Sequence, residues 1–208
     1  MRMVNPTALN FLNTIKSGDG GLIELLTNGD ALLRWMVEAL VLSEEESAAI
    51  RASIKDEDFD QIALDAKWLR EWFRAFATKH MGQPVCADAL AALAPLNEIL
   101  HNARASVAIN LRPAPGSECA RLEVRRHRDW ADPRSVLCVL VEEVAVAICE
   151  TDFSLIKKCA GPGCGMVFLD CSRTHKRRWC TMSNCGNKAK QAAHRERAKK
   201  SSSLVPRN

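Results

Sequence analysis

Four cysteines near the C-terminus constrain this chain more than any other feature of its sequence. They form two C-x4-C pairs, Cys159 with Cys164 and Cys180 with Cys185, and fifteen residues separate the pairs. Two close cysteine pairs at about this separation are the spacing of a tetrahedral Zn²⁺ site. Because four thiolates close the coordination sphere, we predict a structural metal that leaves no position for water or substrate.

Other uses of these cysteines compete with zinc coordination. The pairs could form disulfides or pack as small apolar side chains. His175 or His194 could also act as a ligand in a rearranged site. Turn residues around the pairs favour zinc, because tight turns aim backbone N–H groups at thiolate sulfur. These residues are Gly161, Pro162, Gly163, Gly165 and Gly186.

The chain has nine cysteines, and five of them fall outside the two pairs. Cys171 lies between the pairs but belongs to neither turn, so it is left outside the ligand set. Four others lie in apolar or mixed patterns and are predicted to fill core or surface positions: Cys86, Cys119, Cys138 and Cys149.

Charge is distributed unevenly along the chain. Residues 157–200 hold twelve lysines and arginines against Asp170 and Glu196, whereas the whole chain has a formal net charge of only +4. Arg207 adds one further positive charge, so residues 1–156 have a net charge of −7. A basic C-terminal module is attracted to a polyanion that the acidic remainder would repel.

Composition favours a globular protein in the cytoplasm. The chain has 208 residues, 47% of them hydrophobic, which suits one or two domains with a sizeable core. We see no secretory signal peptide, and the most apolar stretch, residues 136–149, is too short to span a bilayer. We therefore expect a cytoplasmic protein without membrane contact.

Hydrophobic periodicity predicts several helices before residue 103. Residues 5–16 and 56–80 each have an amphipathic pattern, and residues 31–42 follow Asp30, a candidate N-cap. Ser43 and Glu46 have the spacing of a capping box. A further helix is predicted over residues 87–103, with a kink at Pro95.

The period then changes from helical to alternating. Residues 107–111 and 122–124 alternate apolar and polar side chains around a turn, which predicts a β-hairpin. Asp132 and Pro133 are typical of a helix start, and the helix over residues 133–150 is apolar on nearly all sides, so we expect it at the centre of the core. Asn187 is predicted to cap a last helix over residues 188–200.

The predicted fold is mainly α with a small β-hairpin (α+β) in residues 1–156, plus a small four-cysteine zinc finger and basic helix in residues 157–200. We expect a chain ending near Ile156 to remain folded. Residues 201–208 contain a thrombin-type cleavage sequence of the kind that expression vectors leave, and we predict that they are disordered.

The C-terminal module contains a characteristic series of segments: Cys159-x4-Cys164, Phe168-Leu169-Asp170, Ser172, Arg177-Arg178-Trp179-Cys180, Met182 and Cys185-Gly186-Asn187-Lys188, followed by Lys190. With this series the module resembles the CGNR zinc-finger family, whose members carry an N-terminal ABATE domain. Lys188 stands where the family has arginine, so the charge is kept but a bidentate guanidinium is not. Weaker matches to ABATE positions are residues 9–14, 69–71 and 96–97. The resemblance implies a bacterial transcription regulator.

The basic residues of the module predict contact with double-stranded DNA. Most would bind phosphates, and Arg177 or Arg178 is our first choice for a guanine edge. Trp179 could stack on a base or pack inside the finger. A solvated surface, an acidic protein partner or RNA are the alternatives. The predicted nucleic-acid contacts are Arg173, Lys176, Arg177, Arg178, Lys188, Lys190, Arg195, Arg197 and Lys199.

The N-terminal domain has two candidate roles, which are sensing a small-molecule effector and forming a homodimer. Asn13 and Arg70 are polar residues within apolar patterns, so each could line a ligand pocket or make a structural hydrogen bond or ion pair. A single finger makes few base contacts, which favours a homodimer.

Enzymatic activity is the competing class. The sequence has no P-loop, no dinucleotide fingerprint and no HExxH motif, and His175 and His194 alone match zinc nucleases poorly. A redox sensor, in which oxidation of the thiolates ejects zinc, remains an alternative to a purely structural site. We therefore predict a binding protein that is not an enzyme.

Overall fold

The computed structural model describes residues 6–18, 21–103, 105–112 and 121–203. Cys119 and residues 204–208 of the predicted disordered tail lie outside this part. The first three residues of that tail, 201–203, belong to a helix. The fold is mainly helical with small antiparallel hairpins, as the sequence predicts.

The chain begins with helix α1, Pro6–Leu12, which is shorter than the predicted helix over residues 5–16. Residues Asn13 and Thr14 end it, and the Thr14 hydroxyl donates to the Phe11 carbonyl at 2.8 Å. The chain then forms a hairpin of β1, Ile15–Gly18, and β2, Gly21–Glu24, which periodicity did not reveal.

Helix α2, Gly29–Glu38, begins one residue after its N-cap. The cap is Asn28, whose side chain accepts from the Ala31 N–H at 2.9 Å, so the prediction of Asp30 is wrong. Gly29 fits there because a Cβ would lie 2.3 Å from Cδ1 of Phe59. Helix α3, Glu44–Ser53, has the predicted capping box between Ser43 and Glu46.

Two long helices form the centre of the main core. Helix α4, Asp56–His80, buries an apolar stripe, and α6, Arg134–Glu150, is buried on several sides and packs against it, as predicted. At the start of α6, Asp132 Oδ1 accepts from the Arg134 N–H at 3.0 Å. Between them, a 3₁₀ helix over Ala87–Leu93 precedes α5, Ala94–His101, so Pro95 begins an α-helix and does not kink one.

The predicted hairpin is confirmed as β3, Ala105–Arg112, paired antiparallel with β4, Arg121–Arg128. Ile109 lies opposite Val124 in this register. Two arginines fasten its base to α6, because Arg126 and Arg128 both donate to Glu142 Oε2, at 2.8 and 2.6 Å.

The C-terminal part begins with a 3₁₀ turn, Phe153–Leu155, and a hairpin of β5, Ile156–Lys158, and β6, Val167–Leu169. A π-helical turn, Met182–Gly186, continues into α7, Asn187–Ser203. Asn187 is therefore inside a continuous helical segment, and its side chain donates to the Ser183 carbonyl, so it is not the N-cap that we predicted.

Strand β6 contributes to two hydrophobic cores. Val167 is buried in the main core with Ile156, and Leu169 packs against it. Phe168 lies with Cys159 and Cys185 in a small separate core of the finger. Successive side chains of a strand point to opposite faces, so one short strand joins the finger to the body.

A candidate metal centre and nucleic-acid interface

The structure gathers the four predicted ligands at one point. The Sγ atoms of Cys159, Cys164, Cys180 and Cys185 all lie within 4.8 Å of one another. The separations are 4.0 Å between Cys164 and Cys180 and 3.7 Å between Cys180 and Cys185. Four sulfurs at about 2.3 Å from one Zn²⁺ ion in a tetrahedron are about 3.8 Å apart. The donor set therefore fits zinc in type, number and spacing.

Backbone groups of the two turns point at the sulfurs. The N–H groups of Gly161 and Cys180 donate to Cys159 Sγ at 3.4 and 3.3 Å. A Cβ at Gly161 would lie 3.0 Å from Cys185 Sγ, and Gly163 has a φ of +69°. These two glycines are required because one admits the sulfur cluster and the other adopts a left-handed turn.

Gathering four thiols changes their acidity. Burial would raise the pKa of Cys159, but the backbone N–H groups of Cys180 and Gly161 and the neighbouring thiols lower it to about 7. Burial, together with hydrogen bonds in which its S–H donates to the other three sulfurs, raises the pKa of Cys185 to about 12. Four thiolates this close repel one another, so a divalent cation is needed to hold all of them ionised.

The competing ligands and disulfides do not occur in this arrangement. All eight described cysteines are free thiols, and the only metal-binding group among the described residues consists of the four paired cysteines. His175 Nδ1 pairs with the Asp170 carbonyl at 2.9 Å, and His194 is exposed on α7. Of the predicted fillers, Cys138 is buried, whereas Cys86 and Cys149 are exposed.

Asp170 organises the loop between the cysteine pairs. Its carboxylate is fully buried and accepts from Lys157 Nζ at 2.6 Å, from the Ser172 hydroxyl at 2.5 Å and from the Arg177 N–H at 2.8 Å. Burial would raise the pKa of Asp170, but these donors hold it far below its usual value. The carboxylate thus fixes the loop that carries the basic residues.

The two arginines that we favoured for a base edge differ in their contacts. Arg177 Nε donates to the Trp179 carbonyl at 2.8 Å, its Nη2 donates to the Cys180 carbonyl, and its guanidinium lies over the Phe168 ring. Arg178 is exposed and lies over the Trp179 ring, 5.2 Å from the ring centroid. Arg177 is therefore held against the second cysteine pair, and Trp179 packs against the finger core.

The other predicted cations lie on the surface of the module. Arg173 and Lys176 are exposed on the loop, and Lys188, Lys190, Arg195 and Arg197 are exposed on α7. The side chain of Lys199 lies outside the described residues, although its backbone belongs to α7. Helix α7 contacts mainly the π turn before it, so it projects from the finger.

Both residues suggested for a ligand pocket make structural contacts. Asn13 Nδ2 donates to the Val167 carbonyl at 2.8 Å, and its Oδ1 accepts from the Val167 N–H at 3.0 Å. Arg70 forms a bidentate pair with Glu24 at 2.7 Å and donates to Glu71 Oε1 at 2.8 Å. The structural alternative is thus observed for each, although Asn13 also lines a cavity of about 340 Å³.

Two family models match the chain. The model described as "CGNR zinc finger" matches residues 156–198, and the model of the ABATE family, described as "putative stress-induced transcription regulator", matches residues 5–151. The chain belongs to the ABATE family. Its C-terminal module is a CGNR zinc finger, and the resemblance seen in the sequence is confirmed. Comparison with curated proteins found no significant match.

None of the described helices of this ABATE protein has the length and apolarity that crossing a membrane requires. Sequence reasoning missed two functional features of the finger, which are the buried Asp170 network and the clamp between Asn13 and Val167. A signal existed for Asp170, because it is an acidic residue in an otherwise basic segment. No local signal points from Asn13 to a residue 154 positions away.

Proposed function

We propose that this ABATE protein is a transcription regulator that binds double-stranded DNA through its CGNR zinc finger and basic helix α7. The observation that carries the proposal is the exposure of basic side chains on a loop and a helix that one metal site connects. Residues 1–156 have a net charge of −7 and would be repelled by DNA, so only the C-terminal module is attracted to it.

Helix α7 is suited to a groove between two phosphate walls. Lys188 and Arg195 lie on one side of the helix and Lys190 and Arg197 on the opposite side. A helix that is polar on all sides gains little from packing on its own protein, which agrees with its projection from the finger. Binding to phosphates would neutralise both charged sides.

The loop would supply the base contact. Arg178 is exposed and has a stacking partner in Trp179, so its guanidinium is oriented but keeps its hydrogen-bond donors. Arg177 donates to the backbone carbonyls of Trp179 and Cys180, so we assign it a positioning role. Arg178 is the residue that we propose for a guanine edge.

DNA binding is tested by titrating fluorescent duplexes with zinc-loaded protein at several salt concentrations. Arg178→Ala should weaken binding, and the salt dependence should become flatter by about one phosphate if the side chain contacts phosphate only. Arg34→Ala is the matched control, because Arg34 is exposed on the acidic domain. Equal affinity of wild type and Arg178→Ala, or stronger binding to RNA than to duplex DNA, would contradict the proposal.

We also propose that the ABATE domain senses a small molecule at the cavity that Asn13 lines. Its wall includes Trp35 of α2 and Met166, which packs against the finger core, so a ligand there would touch both parts of the chain. Its volume of about 340 Å³ suits a small metabolite. A ligand that binds more tightly when the finger has one orientation relative to the ABATE domain would increase the population of that orientation.

Sensing is tested by measuring the melting temperature in the presence of a library of small metabolites. Compounds that stabilise the wild type should lose this effect in Ala39→Leu, because the added side chain fills the cavity from the end of α2. Leu90→Ala, at an exposed position outside the cavity, should keep it. Hits that are indifferent to Ala39→Leu would place the effector elsewhere.

Two copies of the chain are proposed to act together in the cytoplasm. A single zinc finger contacts few base pairs, and a homodimer would double the contacted site. Association can be measured without DNA, so it is independent of the binding experiment.

A further inference from the structure

The hairpin β3–β4 exposes an aliphatic face that the rest of the described chain leaves uncovered. Val107, Ile109, Leu122 and Val124 are between 64% and 73% exposed. Ile109 is directly opposite Val124, and the alternation of the strands places Val107 and Leu122 on the same face. Scattered exposed aliphatic residues are ordinary, but four on one face of a ribbon mark an interaction surface.

An isolated two-stranded ribbon is only marginally stable in water. The hairpin β3–β4 would therefore be stabilised by a protein surface that packs against it. Its base is fastened by the pairs of Arg126 and Arg128 with Glu142, whereas its outer part has no comparable support among the described residues. Covering the aliphatic face would stabilise the ribbon and bury apolar surface at the same time.

A groove of about 620 Å³ lies beside this ribbon, and the glutamates in its lining outnumber the arginines. Val124, Arg126 and Arg128 line it on the side of the ribbon, and both arginines are already paired with Glu142. The facing wall comes from the segment between α2 and α3 and from the start of α3, and it combines apolar side chains with carboxylates: Val41, Leu42, Glu45 and Glu46. The groove could therefore accept a segment that is both aliphatic and basic.

The hairpin of a second copy has this chemistry. Residues 105–128 hold five arginines against two glutamates, a net charge of +3, whereas the rest of residues 1–156 has a net charge of −10. We propose that two copies form a dimer in which each hairpin lies in the groove of the other. A two-fold axis makes the contact reciprocal, because one chain supplies both the basic ribbon and the acidic groove.

DNA is the other partner that a basic ribbon could bind, because it is a polyanion. The exposed face argues against it, because four aliphatic side chains would lose contact with water without gaining hydrogen bonds to phosphate or base edges. The proposed regulator function explains why a dimer is useful, but the interface itself does not depend on DNA binding.

The molar mass of the full zinc-loaded chain, measured by light scattering during gel filtration without DNA, tests the aliphatic face. The wild type should be a dimer, and Ile109→Lys should be a monomer with unchanged zinc content and circular dichroism. Leu90→Lys, at a similarly exposed position outside the groove, should remain a dimer. A monomeric wild type, or a dimeric Ile109→Lys, would overturn the proposal.

The acidic wall is tested separately, in case the ribbon itself is altered by Ile109→Lys. Glu45→Arg should raise the dimer dissociation constant about tenfold or more in sedimentation equilibrium. Glu44→Arg should not, because the neighbouring residue begins the same helix but does not line the groove. Equal effects of the two substitutions would refute the charge pairing. A wild-type monomer whose DNA affinity falls in Ile109→Lys would assign the ribbon to DNA instead.

Discussion

Single side chains decide how the finger presents its charge. Asp170 and Arg177 are engaged with their own loop, whereas Arg178 and the cations of α7 are directed to the surface. The buried carboxylate accepts donors from both ends of the module, since Lys157 precedes the first cysteine pair and Arg177 precedes the second. Asp170 thus positions residues that we propose to contact DNA, without itself being exposed.

Replacing Asp170 with Asn should loosen the loop in a pH-dependent way. The folded-state pKa lies below its usual value, so the carboxylate contributes stability that is present above the unfolded pKa of about 3.9 and is lost as the pH falls toward the folded one. Asp170→Asn should therefore be less stable than the wild type at neutral pH, and the difference should shrink below about pH 4. Thermal unfolding across pH measures this difference.

The control for Asp170→Asn is Asp88→Asn, at an exposed position in the 3₁₀ helix before α5. It should change stability little at any pH. A constant difference between wild type and Asp170→Asn from neutral to acidic pH would show that the ionised carboxylate is not what stabilises the loop.

Removing one thiolate should empty the metal site. Cys164→Ser replaces a soft ligand with a hydroxyl that stays protonated, so the zinc-to-protein ratio should fall well below one and the finger should unfold. Cys171→Ser is the matched control, because Cys171 is exposed between the pairs and outside the sulfur cluster. Elemental analysis of the purified variants decides; full zinc occupancy in Cys164→Ser would remove Cys164 from the ligand set.

Among the elements, strand β6 is the one that joins the two parts of the chain. Its three residues alternate between the main core and the finger core, and its backbone at Val167 is held by both polar groups of Asn13. Three residues make a short strand, and pairing with β5 alone would leave these backbone groups without partners. The side chain of Asn13, which follows α1, therefore makes the hydrogen bonds to Val167 that a second neighbouring strand would otherwise make.

Truncating the Asn13 side chain should weaken this junction. Asn13→Ala leaves the N–H and the carbonyl of Val167 buried without partners, which should lower the free energy of unfolding by about 2–4 kcal/mol. Hydrogen exchange at Val167 should accelerate as well. Asn10→Ala, one turn earlier at an exposed position, should change stability by less than about 0.5 kcal/mol. Unchanged protection of Val167 in Asn13→Ala would argue against the clamp.

At the scale of the whole molecule, the finger completes the ABATE domain. Ile156 and Val167 are both buried in the main core, although both lie beyond the residues that match the ABATE model. The expectation that a chain ending near Ile156 remains folded stays a prediction, but that chain lacks Val167 and the hydrogen bond that Asn13 donates to it.

A chain that ends at Ile156 should be less stable than the full chain by roughly 3–6 kcal/mol, from lost burial and from the unpaired amide. A chain that ends at Gly186 keeps all four cysteines and strands β5 and β6, so it should retain its stability. It lacks helix α7, so it should bind DNA weakly. Chemical denaturation of both chains measures the difference. Equal stability of the chain ending at Ile156 and the full chain would show that the finger is an independent appendage.

Local sequence signals predicted most of the elements. The stripe of α4, the capping box of α3 and the alternation of β3 and β4 are each encoded within one segment, and all are confirmed. Some errors were local, such as Asp30 in place of Asn28 as the N-cap, and others occurred where a distant residue decides the outcome. Helix α1 ends early because Asn13 is used by Val167, and Gly29 is tolerated at the start of α2 because Phe59 occupies the space of a side chain.

By itself, the sequence determined the metal ligands, the uneven charge and the family, because ligand type, spacing and charge are properties of neighbouring residues. Tertiary structure alone decided that Arg177 faces its own backbone while Arg178 faces outward, that Asn13 holds the finger, and that a basic ribbon lies beside an acidic groove. The last two outcomes depend on which groups of distant segments meet, whereas the arginine orientations depend on how the loop folds over the Phe168 ring. Hydrogen bonds and burial select those pairs only after the chain has folded.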